Sequence, residues 1–273
     1  MTLAATVSSE ASAFHFDPAR LATLADVNRV AFGSNEPYPH VVIDSFLPER
    51  VLDAVLDELP PVPRGDSNDM TPTKATERGK TAHPQASFFG PRTTQLLFQL
   101  NAGDFLDFLE NLTGITGLIS DLRLDGGGYH LTRRGGRLGI HTDFSQHRRW
   151  KLRRRLNLIL YLNKDWKEDY GGHLELWDKE LTACRKRILP IFNRCVIFAT
   201  DVGSPHGQPD PLSCPPDRGR QSLALYYFDN PYEATEAIGT RYMNRPSEER
   251  LVKRLMPPIL FDLARRTTRR SPR

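Results

Sequence analysis

The sequence predicts an α+β fold with a mainly β core, an antiparallel jelly roll with helices packed on it. From about residue 122 onward, short runs rich in β-branched and aromatic residues follow one another, separated by Gly, Pro and Asp. No helical pattern of useful length separates these runs, which disfavours parallel βαβ units. Amphipathic helical patterns precede the runs, so we expect an N-terminal helical region packed on the β core.

The N-terminal region carries the helical patterns. A candidate Asp N-cap and a proline open the first of them, and leucines follow at helical spacing. Helices are predicted at residues 17–31, 48–60 and around 104–112, and a short buried strand at residues 40–46. Residues 61–84 contain Pro, Gly, Ser, Thr and charges without periodicity, which predicts a mobile loop.

Six runs supply the predicted β core. They are GGGYHLT (126–132), RLGIH (137–141), LNLILYL (156–162), GHLELW (172–177), RCVIFAT (194–200) and QSLALYYF (221–228). We therefore expect three parts in the chain: an N-terminal region at residues 1–119, a jelly-roll domain at 120–230, and a C-terminal extension with a basic tail at 231–273.

Composition limits the classes of function. A chain of 273 residues with 39% hydrophobic residues can bury a large core, and no stretch is apolar enough to suggest a signal peptide or a membrane span. Three cysteines without a CxxC pair favour neither a disulfide framework nor a cysteine zinc site, so a cytoplasmic protein is expected. The basic clusters at residues 148–155 and 265–273 are typical of solvated segments, which disfavours nucleic acid as a partner.

A candidate metal site begins with His141 and Asp143 in the stretch GIHTDFS. Residues two apart on a strand face the same side, so both side chains can point into a barrel. This pair alone carries little information, and His206, which follows the run RCVIFAT after a short loop, is the best candidate for a third ligand. Two imidazoles and one carboxylate on one face of a metal favour Fe(II), although a catalytic zinc site can use the same ligands.

Arg220 decides between these metals. It begins the strand RQSLALYYF and shares a face with Ser222, pointing the same way as the proposed ligands. An arginine inside a barrel needs an anion, because an unpaired buried charge is too costly. A dicarboxylate that chelates iron at one end and meets the guanidinium at the other satisfies both demands. This cosubstrate is 2-oxoglutarate.

The order HTD … YLNKDW … GGHLELW … PHG … RQSLALYYF resembles the iron(II)- and 2-oxoglutarate-dependent oxygenases, most closely their prolyl 4-hydroxylase-like branch, over residues 120–230. The resemblance implies a cupin-like double-stranded β-helix. It also implies that His141, Asp143 and His206 are the iron ligands and act in catalysis through the metal. Arg220 would bind the distal carboxylate of 2-oxoglutarate, helped by the hydroxyls of Ser222 and Tyr161. O₂ would be the second cosubstrate, and the resemblance leaves room for ascorbate.

The resemblance implies hydroxylation of an unactivated C–H bond, with release of succinate and CO₂. The expected substrate is a prolyl or other residue of a peptide or protein, or a small amino-acid-derived metabolite. Two alternatives stay open: a non-catalytic jelly-roll binding module, and a nucleic-acid demethylase of the same superfamily, suggested by the basic cluster. The rim segments 61–84 and 144–155 are expected to contact substrate, but their sequences indicate no substrate chemistry. The oligomeric state is likewise not encoded in any pattern.

Overall fold

The computed structural model describes residues 15–65, 77–200 and 203–232. The basic tail predicted at the C-terminus lies outside the described residues. Four helices and ten strands make up the described part of the chain. They are α1 (Pro18–Ser34), β1 (His40–Ile43), α2 (Glu49–Glu58), β2 (Glu77–His83), α3 (Pro91–Gln99), α4 (Gly103–Thr113), β3 (Ile119–Ser120), β4 (Gly128–His141), β5 (Arg153–Tyr161), β6 (Leu174–Trp177), β7 (Cys184–Ile188), β8 (Cys195–Ala199), β9 (His206–Gln208) and β10 (Gly219–Asp229).

The strands form one curled antiparallel sheet in the order β1-β8-β5-β10-β4-β9-β6-β7, with β2 paired to β4 and β3 paired to β10. Apart from β6 and β7, neighbours along this path are not consecutive in sequence, as in a double-stranded β-helix, whose strands alternate between two facing layers. The sheet and the four helices confirm the predicted jelly-roll core with N-terminal helices.

The core forms where the helices cover one face of the sheet. Leu52 of α2, Leu96 of α3 and Leu109 of α4 are fully buried in one cluster with Leu158 of β5 and Leu223 of β10. Each of these leucines belongs to a set of buried apolar residues in its own element. The sets recur at helical spacing on the helices and at every second position on the strands, so each element contributes one apolar face.

The helix starts follow from local chemistry. Asp17 caps α1, because its carboxylate accepts a hydrogen bond from the amide of Ala19, and a proline occupies the first turn. At the start of α3, the carboxylate of Glu58 accepts hydrogen bonds from the amides of Arg92 and Thr93. These contacts satisfy amides that have no partner within their own helix.

The predicted helices at residues 17–31, 48–60 and 104–112 and the predicted strand at 40–46 are confirmed. Helix α3 and strands β7 and β9 were not predicted from the sequence. The prediction of a loop over residues 61–84 is wrong for Glu77–His83, which form β2, and residues 66–76 of that segment lie outside the described residues. A polar edge strand like β2 lacks the apolar alternation by which strands are recognised.

The runs at residues 126–132 and 137–141 were predicted as separate strands, but they belong to the single long strand β4. Its middle carries the polar segment RRGG, which resembles a turn in sequence. The pairing register with β2 shifts across this segment, and β4 continues on both sides of it. The three cysteines are free, as predicted, and none of the described helices is long and apolar enough to cross a bilayer.

Candidate metal and 2-oxoglutarate site

Three candidate metal ligands meet where β4 and β9 pair. His141 is the last residue of β4 and pairs in register with His206, the first residue of β9. Asp143 follows two residues after β4. One ligand atom from each of the three side chains lies within 4.8 Å of the other two. Nε2 of His206 is 3.3 Å from Oδ2 of Asp143, and Nε2 of His141 is 3.8 Å from Oδ1.

The backbone fixes both imidazoles in the tautomer that binds metals. Nδ1 of His141 lies 2.9 Å from the carbonyl oxygen of Gly139, and Nδ1 of His206 lies 3.0 Å from that of Ser204. A carbonyl oxygen can only accept, so each Nδ1 donates a hydrogen bond, which leaves Nε2, the nitrogen with a lone pair in the neutral ring, facing the cluster. Burial, followed by the nearby His206, lowers the pKa of His141, which favours this neutral form. Metal-binding histidines are commonly held by a backbone carbonyl in this way.

Asp143 is held ionised in this cluster. Its Oδ2 accepts a 2.7 Å hydrogen bond from Nδ2 of Asn157 and lies 3.1 Å from Nη2 of Arg154. Burial acts to raise the pKa of Asp143, but His206, Arg154 and Asn157 outweigh it and hold the pKa well below its ordinary value. Two imidazoles and one carboxylate match the donor set of a non-haem Fe(II) site. Arg154 and Asn157 hold the carboxylate in place.

Arg154 lies inside the protein, so the prediction of a solvated basic cluster at residues 148–155 is wrong at this position. Its side chain is 1% exposed, and the guanidinium stacks between the rings of Phe144 and Tyr226, 4.5 and 3.4 Å from their centroids. Arg153 and Arg155 face the other side of β5, as strand alternation requires, and both pair with Asp229.

Arg220 lies at the other end of the site, on β10. Its Nε donates to the carbonyl oxygen of Gly172 at 2.8 Å, and its Nη2 donates to the hydroxyl oxygen of Tyr161 at 2.9 Å. Tyr161 is fully buried, and burial raises its pKa, so the phenol stays protonated. Gly172 has φ +79°, and a Cβ there would lie 3.2 Å from Cδ of Arg220, so only glycine fits beside the arginine.

One cavity contains both groups of side chains. His141, Asp143, His206, Arg220 and Ser222 all line it. The structure thus brings together five of the six site residues expected from the sequence around one space, and the sixth, Tyr161, contacts Arg220. Concave sites on which a few polar groups converge are typical of small-ligand binding.

Sequence reasoning missed six polar residues that line the cavity. They are Lys80, His130, Thr132, Asn157, Gln208 and Tyr226. His130 shares a face of β4 with Thr132, as strand alternation could have revealed. Burial, with Lys80 and Arg220 acting in the same direction, lowers the pKa of His130 to about 3, so the ring is neutral. Lys80 could not be found from the sequence, because its strand was interpreted as a loop.

Comparison with known proteins agrees with this geometry. The family model of the 2OG-Fe(II) oxygenase superfamily matches residues 127–228. Among the curated proteins, none matches the chain.

Solved structures show the same fold. A prolyl hydroxylase from Trichoplax adhaerens, in complex with a peptide fragment of the hypoxia-inducible factor oxygen degradation domain, is 18% identical, with a TM-score of 0.52 over 77% of this chain and 91% of the other. For a prolyl 4-hydroxylase from Phytophthora capsici, the identity is 20% and the TM-score 0.53, over 83% of this chain and 71% of the other. Residues 127–228 thus match the 2OG-Fe(II) oxygenase superfamily, and the chain has a prolyl hydroxylase-like fold.

Proposed function

We propose that His141, Asp143 and His206 hold Fe(II), and that Arg220 binds the distal carboxylate of 2-oxoglutarate. The observation that carries this proposal is the cluster of three potential ligands, with Nδ1 of each histidine bound to a backbone carbonyl oxygen and Nε2 facing the cluster. Arg220 supports it from the opposite end of the same cavity. Its guanidinium is fixed through Nε and one Nη, which orients the remaining N–H groups for an anion.

Tyr161 and Ser222 assist Arg220 in this proposal. Because Arg220 donates to the oxygen of Tyr161, the phenolic O–H is available to donate to the same carboxylate. Ser222 is buried, lines the cavity, and lies opposite Tyr161 across the β10–β5 pair, so its hydroxyl points to the same region.

We propose that the protein hydroxylates an unactivated C–H bond in a prolyl or other residue of a peptide or protein, or in a small amino-acid-derived metabolite. Fe(II) with 2-oxoglutarate and O₂ supplies the oxidising power, and succinate and CO₂ are the coproducts. A peptide substrate is supported by the Trichoplax relative, whose structure contains a peptide.

The protein's own residues orient the reactants and exclude water. Ile159 and Leu174 give the cavity apolar walls, and Tyr226 also lines it. Excluding water from such a site strengthens its electrostatic interactions and prevents side reactions of the oxidant. We further propose that residues 120–230 form the catalytic domain, with residues 1–119 packed on it and residues 231–273 as an extension.

A coupled assay tests this function. Iron-loaded protein is incubated with 2-oxoglutarate and a panel of amino acids and proline-containing peptides, while succinate and the mass of each candidate are measured. We expect one succinate for each product that gains 16 Da. The His206→Ala variant should release none. A wild-type protein that holds iron but turns over no 2-oxoglutarate with any candidate would point to the non-catalytic binding module instead.

A further inference from the structure

The loop between β4 and β5 forms a hairpin whose tip carries three cations and a tryptophan. The tip consists of residues 148–151, with the sequence RRWK, and all four residues are exposed. In the part of the chain that the structure describes, no acid pairs with Arg148, Arg149 or Lys151. The tip therefore concentrates three positive charges in four residues, whereas the net formal charge of the whole chain is only +4.

A buried histidine fixes the tip. Nδ1 of His147 accepts hydrogen bonds from the backbone amides of Arg149 and Trp150, at 3.2 and 3.1 Å. The imidazole also stacks on the indole of Trp150, with the ring centroids 4.4 Å apart, and its Nε2 lies 3.7 Å from Oδ2 of the buried Asp121. A backbone amide can only donate, so Nδ1 is the unprotonated nitrogen, and His147 caps two amides of the tip. The three cations are thus presented from a fixed backbone.

The stem of this hairpin begins and ends at the proposed metal site. Asp143 precedes the tip and Arg154 follows it, and their side chains lie 3.1 Å apart. The amide of Arg154 donates to the carbonyl oxygen of Ser145, which closes the stem. Arg148 lies five positions after Asp143, and an extended chain advances about 3.4 Å per residue, so the two backbones are at most about 17 Å apart. The tip is therefore within reach of residues that flank the target residue of an extended peptide substrate.

The distribution of charge favours an acidic peptide over a nucleic acid as the occupant of the tip. Surfaces that bind nucleic acids present cations along a track that follows several phosphates. Beside the tip, Arg153 and Arg155 are both already paired with Asp229. The cations of the hairpin that have no acid partner are thus confined to four residues, which suits a short cluster of carboxylates.

We propose that the tip is a docking surface for an acidic segment of a peptide or protein substrate. The inference rests on the proposed function for the link between the tip and a substrate, and it adds a binding surface outside the cavity. Carboxylates of the segment pair with Arg148, Arg149 and Lys151, and the indole of Trp150, which is 42% exposed, offers an apolar surface beside them. Because such ion pairs are exposed, they add affinity modestly and weaken at high ionic strength.

Fluorescence anisotropy measures docking to the full-length protein, incubated anaerobically with Fe(II) and 2-oxoglutarate so that no turnover occurs. The probes are a labelled proline peptide with three Glu residues within five positions of the proline, the same peptide with Gln in place of Glu, and an oligothymidylate of equal length. The proteins are wild type, the tip variant Arg148→Gln/Arg149→Gln/Lys151→Gln, and a control variant with the same loss of charge, Lys167→Gln/Lys179→Gln/Lys186→Gln, at exposed positions outside the hairpin. Circular dichroism checks that all three proteins fold alike.

We expect the Glu peptide to bind wild type and the control variant about tenfold more tightly than the Gln peptide, as three exposed ion pairs together allow. The tip variant should lose this preference, and raising the salt concentration to about 0.5 M should weaken it in wild type. Binding of the Glu peptide should also alter the iron-to-2-oxoglutarate charge-transfer absorption, because a docked substrate places its target residue in the cavity.

Equal binding of the Glu and Gln peptides to wild type, or a preference that persists in the tip variant, would overturn the inference. Tighter binding of the oligothymidylate that is lost in the tip variant would make the tip a nucleic-acid surface instead. A Glu preference that leaves an existing charge-transfer absorption unchanged would assign the tip to an acidic partner other than the substrate. The proposed function fails separately, if wild type shows no such absorption at all, and the anisotropy still reports docking in that case.

Discussion

The inner end of the cavity and its mouth are built differently. At the inner end, backbone carbonyls fix both imidazoles, a buried arginine and asparagine fix Asp143, and Gly172 and Tyr161 fix Arg220. At the mouth, Lys80 lies on β2, an edge strand that pairs with β4. The comparison teaches that the groups proposed to bind the metal and the cosubstrate are held from several sides, whereas the wall lined by Lys80 is formed by one edge strand.

Removing a metal ligand should have the largest effect on this arrangement. We expect His206→Ala to weaken Fe(II) binding by more than about 100-fold, since loss of an outer partner alone typically costs 10- to 100-fold. Metal content after desalting and anaerobic calorimetry measure the change. His173→Gln is the matched control, because His173 pairs with Glu168 and is not among the residues lining the cavity. Equal iron retention by both variants would refute the ligand assignment.

Arg220→Ala should act on the cosubstrate rather than on the metal. We expect iron binding to be retained and the 2-oxoglutarate concentration for half-maximal turnover to rise by about 100-fold, because truncating one partner of a buried, hydrogen-bonded charge pair costs a few kcal/mol. Steady-state kinetics with varied 2-oxoglutarate measure this shift, with the exposed Arg185→Ala on β7 as the control. An unchanged requirement would mean that the guanidinium is not the anchor.

Substitution of Arg154, the buried arginine beside Asp143, tests whether this residue positions the carboxylate or only fills space. We expect Arg154→Gln to weaken Fe(II) binding by about 10- to 100-fold and Arg154→Lys to do so less, because Lys keeps the charge beside the carboxylate but not the planar fork. Calorimetry measures metal affinity, and circular dichroism checks the fold. If both variants fold and bind iron as wild type does, Arg154 only fills space between Phe144 and Tyr226.

Tyr161→Phe should have the smallest effect at the inner end. The change removes one acceptor of Arg220 while Gly172 still holds the guanidinium, so we expect the 2-oxoglutarate requirement to rise by about tenfold or less. The same kinetic assay as for Arg220 measures it. A rise as large as that for Arg220→Ala would show that the phenol, and not the guanidinium, dominates cosubstrate binding.

The sequence predicted the inner end well because its signals are local. Arg220 and Ser222 share one face of β10, so alternation gives their direction, and His141 and Asp143 reach the same cavity although β4 ends at His141. The fold class followed from the regular spacing of apolar runs. The order of the motifs along the chain, which resembles that of a known family, allowed the separate candidate residues to be assigned to one site.

The mouth could not be predicted, for physical reasons. β2 is a polar strand recognisable only through its pairing with β4, and this pairing, of Lys80 with Thr132, places Lys80 on the cavity side. Arg154 lies in a run of arginines that resembles a solvated segment, and tertiary stacking with Tyr226 decides its burial. Such features depend on long-range contacts that leave no periodic trace in the sequence.

Anaerobic titration of wild-type protein with Fe(II) and 2-oxoglutarate tests the central claim most directly. We predict a charge-transfer absorption that saturates at one Fe(II) and one 2-oxoglutarate per chain and is absent in His206→Ala. A wild-type protein that binds iron without developing this absorption, or a His206→Ala variant that develops it fully, would contradict the claim that these three side chains and Arg220 form one site.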